Sequence, residues 1–266
     1  MDERLECNKK MWNALTEPHI KSAFYDVAGF KASRDWLKPL EIEEVGDVRG
    51  KSLLHLQCHF GMDTISWGRR GAKATGVDFS DVAIAQARKL VKETGVNAEF
   101  ICSDIFTLPE VLDKKFDIVF TSYGVLGWLP DLNKWGKIVA HYLKPGGFFY
   151  IAEFHPLFWI FGEKPNPDLR VYESYFQHIV RYDEGTDYAS DFTHKMTSYE
   201  WQYTIGDVIT ALGKEGLYIE YLHELPICCF QARKDMKEDK DGWWRLEGDM
   251  IPLTFSIKAT KPQLKT

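Results

Sequence analysis

The sequence predicts an α/β fold: a mostly parallel sheet with helices on both faces and an antiparallel pair of strands at its end. Three observations carry that expectation. Short apolar runs alternate with helical periodicity from residue 51 to residue 156, and such alternation builds a parallel sheet with right-handed crossovers. The last two apolar runs, LYIEYLHEL and PLTFSIKAT, are joined by a polar loop with no helix-length pattern, so antiparallel pairing is the simplest arrangement. The 266 residues, 45% hydrophobic and 27% charged, suit one sizeable globular core.

Taken in order, residues 1–48 read as mainly helical, with WNALTEPHIKSAFYD rich in aromatic and polar groups. SLLHLQ and KATGVD are the first two strands. Ser80 caps a helix in which Ile84, Ala87, Arg88 and Val91 share a face. AEFICSD and FDIVFTS follow as strands. Asp131 caps the next helix, where Leu132, Trp135, Val139 and Tyr142 align, and KPGG ends it before the strand FFYIAEF. TIGDVITALGKEG reads as the last helix, with Gly216 as its stop. Residues 155–199 carry many aromatics, and RVYESYFQHIVRY has the residues of an added strand. The organisation expected is one domain over 1–266: a helical segment over 1–48, a core over 49–154, an aromatic-rich insertion over 155–199, and the last helix and strand pair over 200–266.

Composition excludes several classes. Lys plus Arg number 33 against 39 Asp plus Glu, a net charge of −6, so no basic field exists to hold nucleic acid. The five cysteines, Cys7, Cys58, Cys102, Cys228 and Cys229, are odd in number and lack framework spacing; reduced thiols and a cytoplasmic setting are expected. The start, MDERLECNKKMWN, lacks the apolar core of a signal peptide. GGFFYIAEFHPLFWIF is interrupted by Glu153, His155 and Pro156, so no membrane span is expected.

The turn after the first strand reads Gln57-Cys58-His59-Phe60-Gly61. In doubly wound sheets this is where ligands bind. A G-x-G-x-G pattern would place glycine at 57, 59 and 61, and only Gly61 remains. Asp78 closes the second strand, 21 residues after Gln57, where an acid can hold a ribose hydroxyl pair. A pyrophosphate needs close backbone approach at the second glycine, so His59 disfavours a dinucleotide. A cofactor with ribose and adenine but no phosphate, such as S-adenosylmethionine, tolerates side chains there better. Asp104 then faces the adenine amino group, the Ile105 N–H a ring nitrogen, and Thr121, Ser122 and Tyr123 the methionine half. His55, Cys58 and His59 also suggest a metal knuckle. Zinc needs about four converging ligands, no second ligand pair follows, and alternate strand residues face opposite ways, so no metal is expected.

The run LLHLQCHFGMDTISWGRRGAKATGVDFSDVAIAQAR, with FICSDIFTLP, FDIVFTSYGVLGWLPDL and LKPGGFFYIAEFHP, resembles the class I S-adenosylmethionine-dependent methyltransferases. The resemblance covers residues 51–156. It implies a Rossmann-like, seven-stranded, mostly parallel sheet with an antiparallel last strand, an N-terminal helical lid and an insertion after strand 5. It places Gln57, Cys58, His59 and Gly61 on the glycine loop that lines the methionine moiety. Asp78 falls on the ribose-binding acid, Phe79 beside the adenine, Asp104 and Ile105 on the adenine pair, and Thr121 under the methionine end. His55 stands where the family has an acid, and Asp63 is the candidate to compensate. Trp12, His19, Ser22 and Tyr25 are expected to fold over the cofactor.

The reaction so implied is in-line methyl transfer to an O, N or C nucleophile of a small molecule, leaving S-adenosylhomocysteine. His155, in EFHP, is the candidate base, with a capping or core histidine as the plain alternative. Glu153 either orients it or is a buried structural carboxylate, and Tyr123 either binds substrate or packs. After the fourth strand TSYG replaces the Asn/Asp-Pro-Pro-Tyr run of nucleobase amino methyltransferases, which favours a small acceptor. A non-catalytic cofactor-binding protein on the same fold is the second reading, and a nicotinamide-dependent oxidoreductase is disfavoured by the loop and by the antiparallel end.

Overall fold

The structure is a computed structural model that describes residues 2–162, 168–176, 179–190 and 192–263, apart from the Thr186 side chain. Seven strands form one sheet: β1 Ser52–Leu56, β2 Lys73–Asp78, β3 Ala98–Cys102, β4 Phe116–Ser122, β5 Leu143–Phe154, β6 Tyr218–Leu225 and β7 Thr254–Thr260. Their order is β3-β2-β1-β4-β5-β7-β6. β1 to β5 run parallel, with Leu53 opposite both Ala74 and Ile118. β7 is antiparallel to β5, with Ser256 opposite Ala152, and to β6, with Ser256 opposite His223. The strand order reverses at β1, which carries the turn at residues 57–61.

Among the described residues eight α-helices surround the sheet: α1 Glu3–Lys21, α2 Val27–Lys31, α3 Pro39–Val45, α4 Met62–Arg69, α5 Asp81–Thr94, α6 Leu132–Tyr142, α7 Pro156–Trp159 and α8 Ile205–Lys214. Alternation along β1 divides the core. Leu54 and Leu56 face α6 and α8 through Trp135, Val139, Val208 and Leu212. Leu53 faces the other way, toward Trp67, Ile118, Phe120 and Tyr150. Gly136 sets the α6–α8 distance, because a Cβ there would lie 2.5 Å from the Ala211 carbonyl oxygen.

The capping residues act as their positions predict. Ser80 Oγ accepts from the Ala83 N–H at 3.0 Å, and Asp131 from Lys134 at 3.0 Å. Thr204 and Asp207 form a reciprocal capping box on α8, and Gly216 follows its end at φ 75°. β5 differs from expectation: it begins at Leu143, and the KPGG segment lies within it.

The insertion is only partly strand. Val180–Tyr182 pairs with Ser198–Glu200, and Gly185–Thr186 with Thr193–His194. The expected added strand is therefore confined to its last residues; Gln177 and His178 lie outside the described residues, as do residues 163–167 of the insertion. α1 docks on this segment through Asn8, whose amide donates to the Tyr199 carbonyl at 2.7 Å and accepts from the Tyr199 N–H at 2.8 Å. The polar loop before β7 holds a small core of its own, with Phe158, Cys228, Met236, Leu246 and Leu253 buried together. Among the described residues no helix is long and apolar enough to cross a membrane.

Candidate cofactor and acceptor site

The turn after β1 keeps the backbone of a glycine loop without its glycines. Gln57, His59 and Gly61 all have left-handed backbones, at φ 58°, 49° and 82°. An L side chain in that region costs roughly 1–2 kcal/mol, so two such residues need compensating contacts. Gln57 Nε2 donates to the Val125 carbonyl at 3.0 Å. The His59 N–H donates to Asp78 Oδ2 at 2.8 Å, and its ring Nε2 pairs with His19 Nδ1 at 2.9 Å. Gly61 cannot be replaced in the same way, because a Cβ there would sit 2.4 Å from the Phe100 ring.

Two buried polar atoms, one on β1 and one in this turn, have no partner among the described residues: His55 Nε2 and Gln57 Oε1. Both residues line a cavity of about 1640 Å³ at the carboxyl ends of the central strands. An unpaired buried polar group costs about 1–3 kcal/mol, so these atoms point to a polar ligand. His55 Nδ1 is engaged by Thr64 Oγ1 at 2.9 Å, and burial drops the imidazole pKa to about 3, so the ring is neutral.

Asp78 accepts from the His59 and Ser80 N–H groups at 2.8 and 2.9 Å, one on each oxygen. A second lone pair on each oxygen remains for a diol. Burial raises its pKa to about 6. Phe79, Asp104 and Ile105 also line the cavity. Asp104 Oδ1 accepts from the Phe106 N–H at 2.9 Å, and burial raises its pKa.

Trp12 and Tyr25 wall the cavity from the N-terminal segment. Trp12 meets His59 and Trp128 edge-on, with centroids 5.4 and 5.2 Å apart. Tyr25 stacks on Trp36 at 5.3 Å and pairs its hydroxyl with that of Tyr188. Ser22 lies behind this wall, where its hydroxyl donates to the His19 carbonyl at 2.8 Å. Cys58 lines the cavity but packs its side chain with Phe60, Ile84 and Phe100.

An acidic group also lines the cavity. The Tyr123 hydroxyl donates to Glu41 Oε2 at 3.3 Å, and Ser122 Oγ donates to Asp63 Oδ2. Burial, then the nearby Asp63 charge, pushes Glu41 to about 8; burial raises Asp63 to about 6. All four residues line the cavity.

Four candidate residues do not line the cavity: His19 and Ser22 of the N-terminal segment, Thr121 and His155. Thr121 is fully buried between strands, with its hydroxyl donating to the Leu56 carbonyl at 3.2 Å. His155 caps α7: its Nδ1 accepts from the Leu157 N–H at 3.1 Å and its Nε2 pairs with Glu224 at 2.8 Å. Both ring nitrogens are occupied, which corrects the placement of His155 as a base. Glu153 does not touch it. Its carboxylate gathers the N–H groups of Gly124, Val125, Leu126 and Phe154 at 2.5–3.1 Å, fixing the loop after β4.

Sequence reasoning missed Glu41, Asp187 and Tyr188, which line the cavity from α3 and the insertion; no local pattern marks them. His55, Cys58 and His59 diverge, toward Thr64, the Phe100 cluster and His19 respectively. Among the described residues no group of three or more His, Cys, Asp or Glu side chains is placed to hold a metal.

A cleft at the switch point of a doubly wound sheet, with an acid closing β2, defines a nucleoside-cofactor site. Comparison with known proteins narrows this. A family profile described as a methyltransferase domain matches residues 53–147. A ubiquinone biosynthesis O-methyltransferase of Coxiella burnetii is 31% identical over 178 residues, covering 66% of each chain. One from Pseudomonas fluorescens is 31% identical over 138 residues, 50% of this chain and 59% of the relative, so the chain matches little more than half of that protein's length. The crystal structure of an S-adenosylmethionine-dependent methyltransferase from Mesorhizobium loti shares the fold, with a TM-score of 0.58 and 18% identity over 83% of this chain and 95% of that one. The chain belongs to the class I S-adenosylmethionine-dependent methyltransferase family.

Proposed function

We propose that this chain transfers a methyl group from S-adenosylmethionine to an oxygen of a small-molecule acceptor. The observation that carries the reading is the loop after β1. Its left-handed backbone is kept at 57, 59 and 61, and two unpaired buried atoms, His55 Nε2 on β1 and Gln57 Oε1 in the loop, belong to residues lining the same cavity as Asp78. The choice of oxygen follows the names of the O-methyltransferase relatives.

Bound S-adenosylmethionine supplies a methyl group on a positively charged sulfur. The chain's residues bind and orient. Asp78 accepts from the ribose hydroxyls, Phe79 packs on the adenine, and Asp104 with the Ile105 N–H takes its polar edge. Gln57, His55 and Ser122 meet the methionine half, where Asp63 supplies the acid that His55 replaces. Cys58 and Gly61 shape the loop, and Trp12 and Tyr25 exclude water from above. Tyr123, held by Glu41, faces the acceptor. Such positioning is a large part of catalysis when the reaction is an in-line displacement.

Residues 1–48 and 155–199 act as lid and cap of a single domain over 1–266, and the protein works in the cytoplasm, apart from nucleic acid and membrane. The test is release of S-adenosylhomocysteine with phenols, catechols and small alcohols as acceptors. Acceptor-dependent release supports the reading. Tight cofactor binding with no release across such acceptors supports the non-catalytic alternative.

A further inference from the structure

Two buried side chains and a half-buried one form a continuous hydrogen-bonded row that ends in the cavity. Asp187 Oδ1 meets His19 Nε2 at 2.8 Å, and His19 Nδ1 meets His59 Nε2 at 2.9 Å. The side chains of His19 and Asp187 are fully buried. Each comes from a different part of the chain: Asp187 from the insertion, His19 from the last turn of α1, and His59 from the loop after β1.

Charge fixes the direction of the row. Asp187 also accepts from Ser190 Oγ and, at 3.2 Å, from the Ala189 N–H. Burial acts to raise its pKa, but the hydrogen bonds from His19 and Ser190 hold it below the ordinary value, so it is an ionised acceptor. With His19 as the Nε2–H tautomer facing Asp187, its Nδ1 lone pair accepts from the Nε2–H of His59. The remaining nitrogen, His59 Nδ1, has no partner among the described residues, and His59 lines the cavity. It therefore offers a lone pair to whatever occupies that space. Burial, and then His19, hold the His59 pKa well below the ordinary value, keeping the ring neutral. The titratable groups around it are Asp187 through His19, Asp78 on its backbone N–H, the Tyr25 ring beside it, Tyr188 against His19, and Asp63 on the cavity wall.

We propose that His59 is the base that takes the proton of the acceptor hydroxyl, with His19 and Asp187 as positioning residues that fix its tautomer. This rests on the methyl-transfer reading and specifies its acceptor as a group with a dissociable O–H. The proton moves from the acceptor oxygen to His59 Nδ1. The oxygen lone pair forms the new O–C bond as the methyl–sulfur bond breaks, and that bond's electron pair stays on sulfur, which becomes a neutral thioether. The imidazolium formed at His59 is stabilised through His19 by Asp187 and returns its proton to water. A stabilised imidazolium and a fixed tautomer are what a carboxylate behind a histidine provides in other bases. The row exists only when α1 and the insertion are docked, so closing the site also assembles its base.

The test has two arms. With histidine ¹⁵N labelling and S-adenosylhomocysteine bound, nuclear magnetic resonance at pH 7 should show His59 neutral, with the row's protons on the Nε2 of His19 and the Nε2 of His59. Asp187→Asn should disturb both tautomers. A proton on His59 Nδ1 overturns the assignment. In the second arm, His59→Gly suits the left-handed backbone, and turnover is compared at saturating S-adenosylmethionine so that a change in cofactor affinity is read separately. Release of S-adenosylhomocysteine with catechol should fall by about 100-fold, at the low end of the usual effect of a general base, and added imidazole should restore part of it. Asp187→Asn should lower kcat by about tenfold or more and shift its acidic pH limb without changing KM for the cofactor. A His59→Gly variant within twofold of wild type overturns the assignment. A wild-type chain that binds cofactor yet methylates neither catechol nor simple phenols is the separate failure of the methyl-transfer reading, and the tautomer measurement still decides the row.

Discussion

Gln57 Nε2 donates to the Val125 carbonyl at 3.0 Å, so a side chain standing where the loop pattern calls for glycine ties the turn after β1 to the loop after β4. The same residue carries the strain of a φ of 58°. Gln57→Ala removes the tie and keeps the strain; Gln57→Gly removes both. Urea melts should find the alanine variant about 1 kcal/mol less stable than the glycine variant. Equal stability would mean that the backbone at 57 carries no strain.

Glu153 holds the other side of that junction. It takes four backbone N–H groups, and a glutamine offers one acceptor oxygen together with an NH₂ that would face donors. Glu153→Gln should cost roughly 3 kcal/mol and speed amide exchange at Gly124, Val125 and Leu126. An unchanged exchange pattern would contradict the role given to this carboxylate.

Above about pH 6.5, where His55 and His59 are neutral in both states, stability of the unliganded protein should fall with rising pH. Burial raises Asp63 and Asp78 to about 6 and Glu41, with help from Asp63, to about 8. Unfolded carboxyls titrate near pH ~4, so between about pH 4 and pH 8 these three groups hold more protons folded than unfolded, while His55 and His59 act the other way below about pH 6.5. The stability is full below the unfolded value and is lost as pH rises through the folded values. Glu41→Gln should flatten the upper part of this window and melt higher than wild type at pH 8, by on the order of a few kcal/mol. A parallel pH profile for the two proteins would overturn the assignment to Glu41.

His155→Ala should act on stability alone. The variant loses the cap of α7 and the contact with Glu224, a cost of about 1 kcal/mol. Turnover per folded molecule should be unchanged, since both ring nitrogens are engaged away from the cavity. A loss of turnover with the melting temperature preserved would return His155 to the mechanism.

The parts of this molecule that the sequence discloses are those governed by local rules. Short apolar runs mark all seven strands, helical periodicity marks α5, α6 and α8, and Ser80 and Asp131 mark helix starts because their oxygens satisfy N–H groups three residues away. The spacing of Gln57, His59 and Gly61 identifies a glycine-loop backbone even though two glycines are gone. What stays hidden depends on distant partners. His19 and Asp187 are 168 residues apart, and only the docking of α1 on the insertion brings them together. Thr121 has the right sequence position, yet its hydroxyl is spent on the Leu56 carbonyl of the neighbouring strand. The small core of Cys228, Met236, Leu246 and Leu253 has no periodic spacing, so the segment reads as a polar loop.

Calorimetric titration with S-adenosylhomocysteine, of wild type and Asp78→Asn, tests the central claim most directly. The account predicts one site per chain in the wild type and affinity weaker by roughly tenfold or more in the variant, about 1.4 kcal/mol, with NAD giving no heat in either protein. Absence of binding to the wild type, or equal affinity in the two proteins, would contradict it.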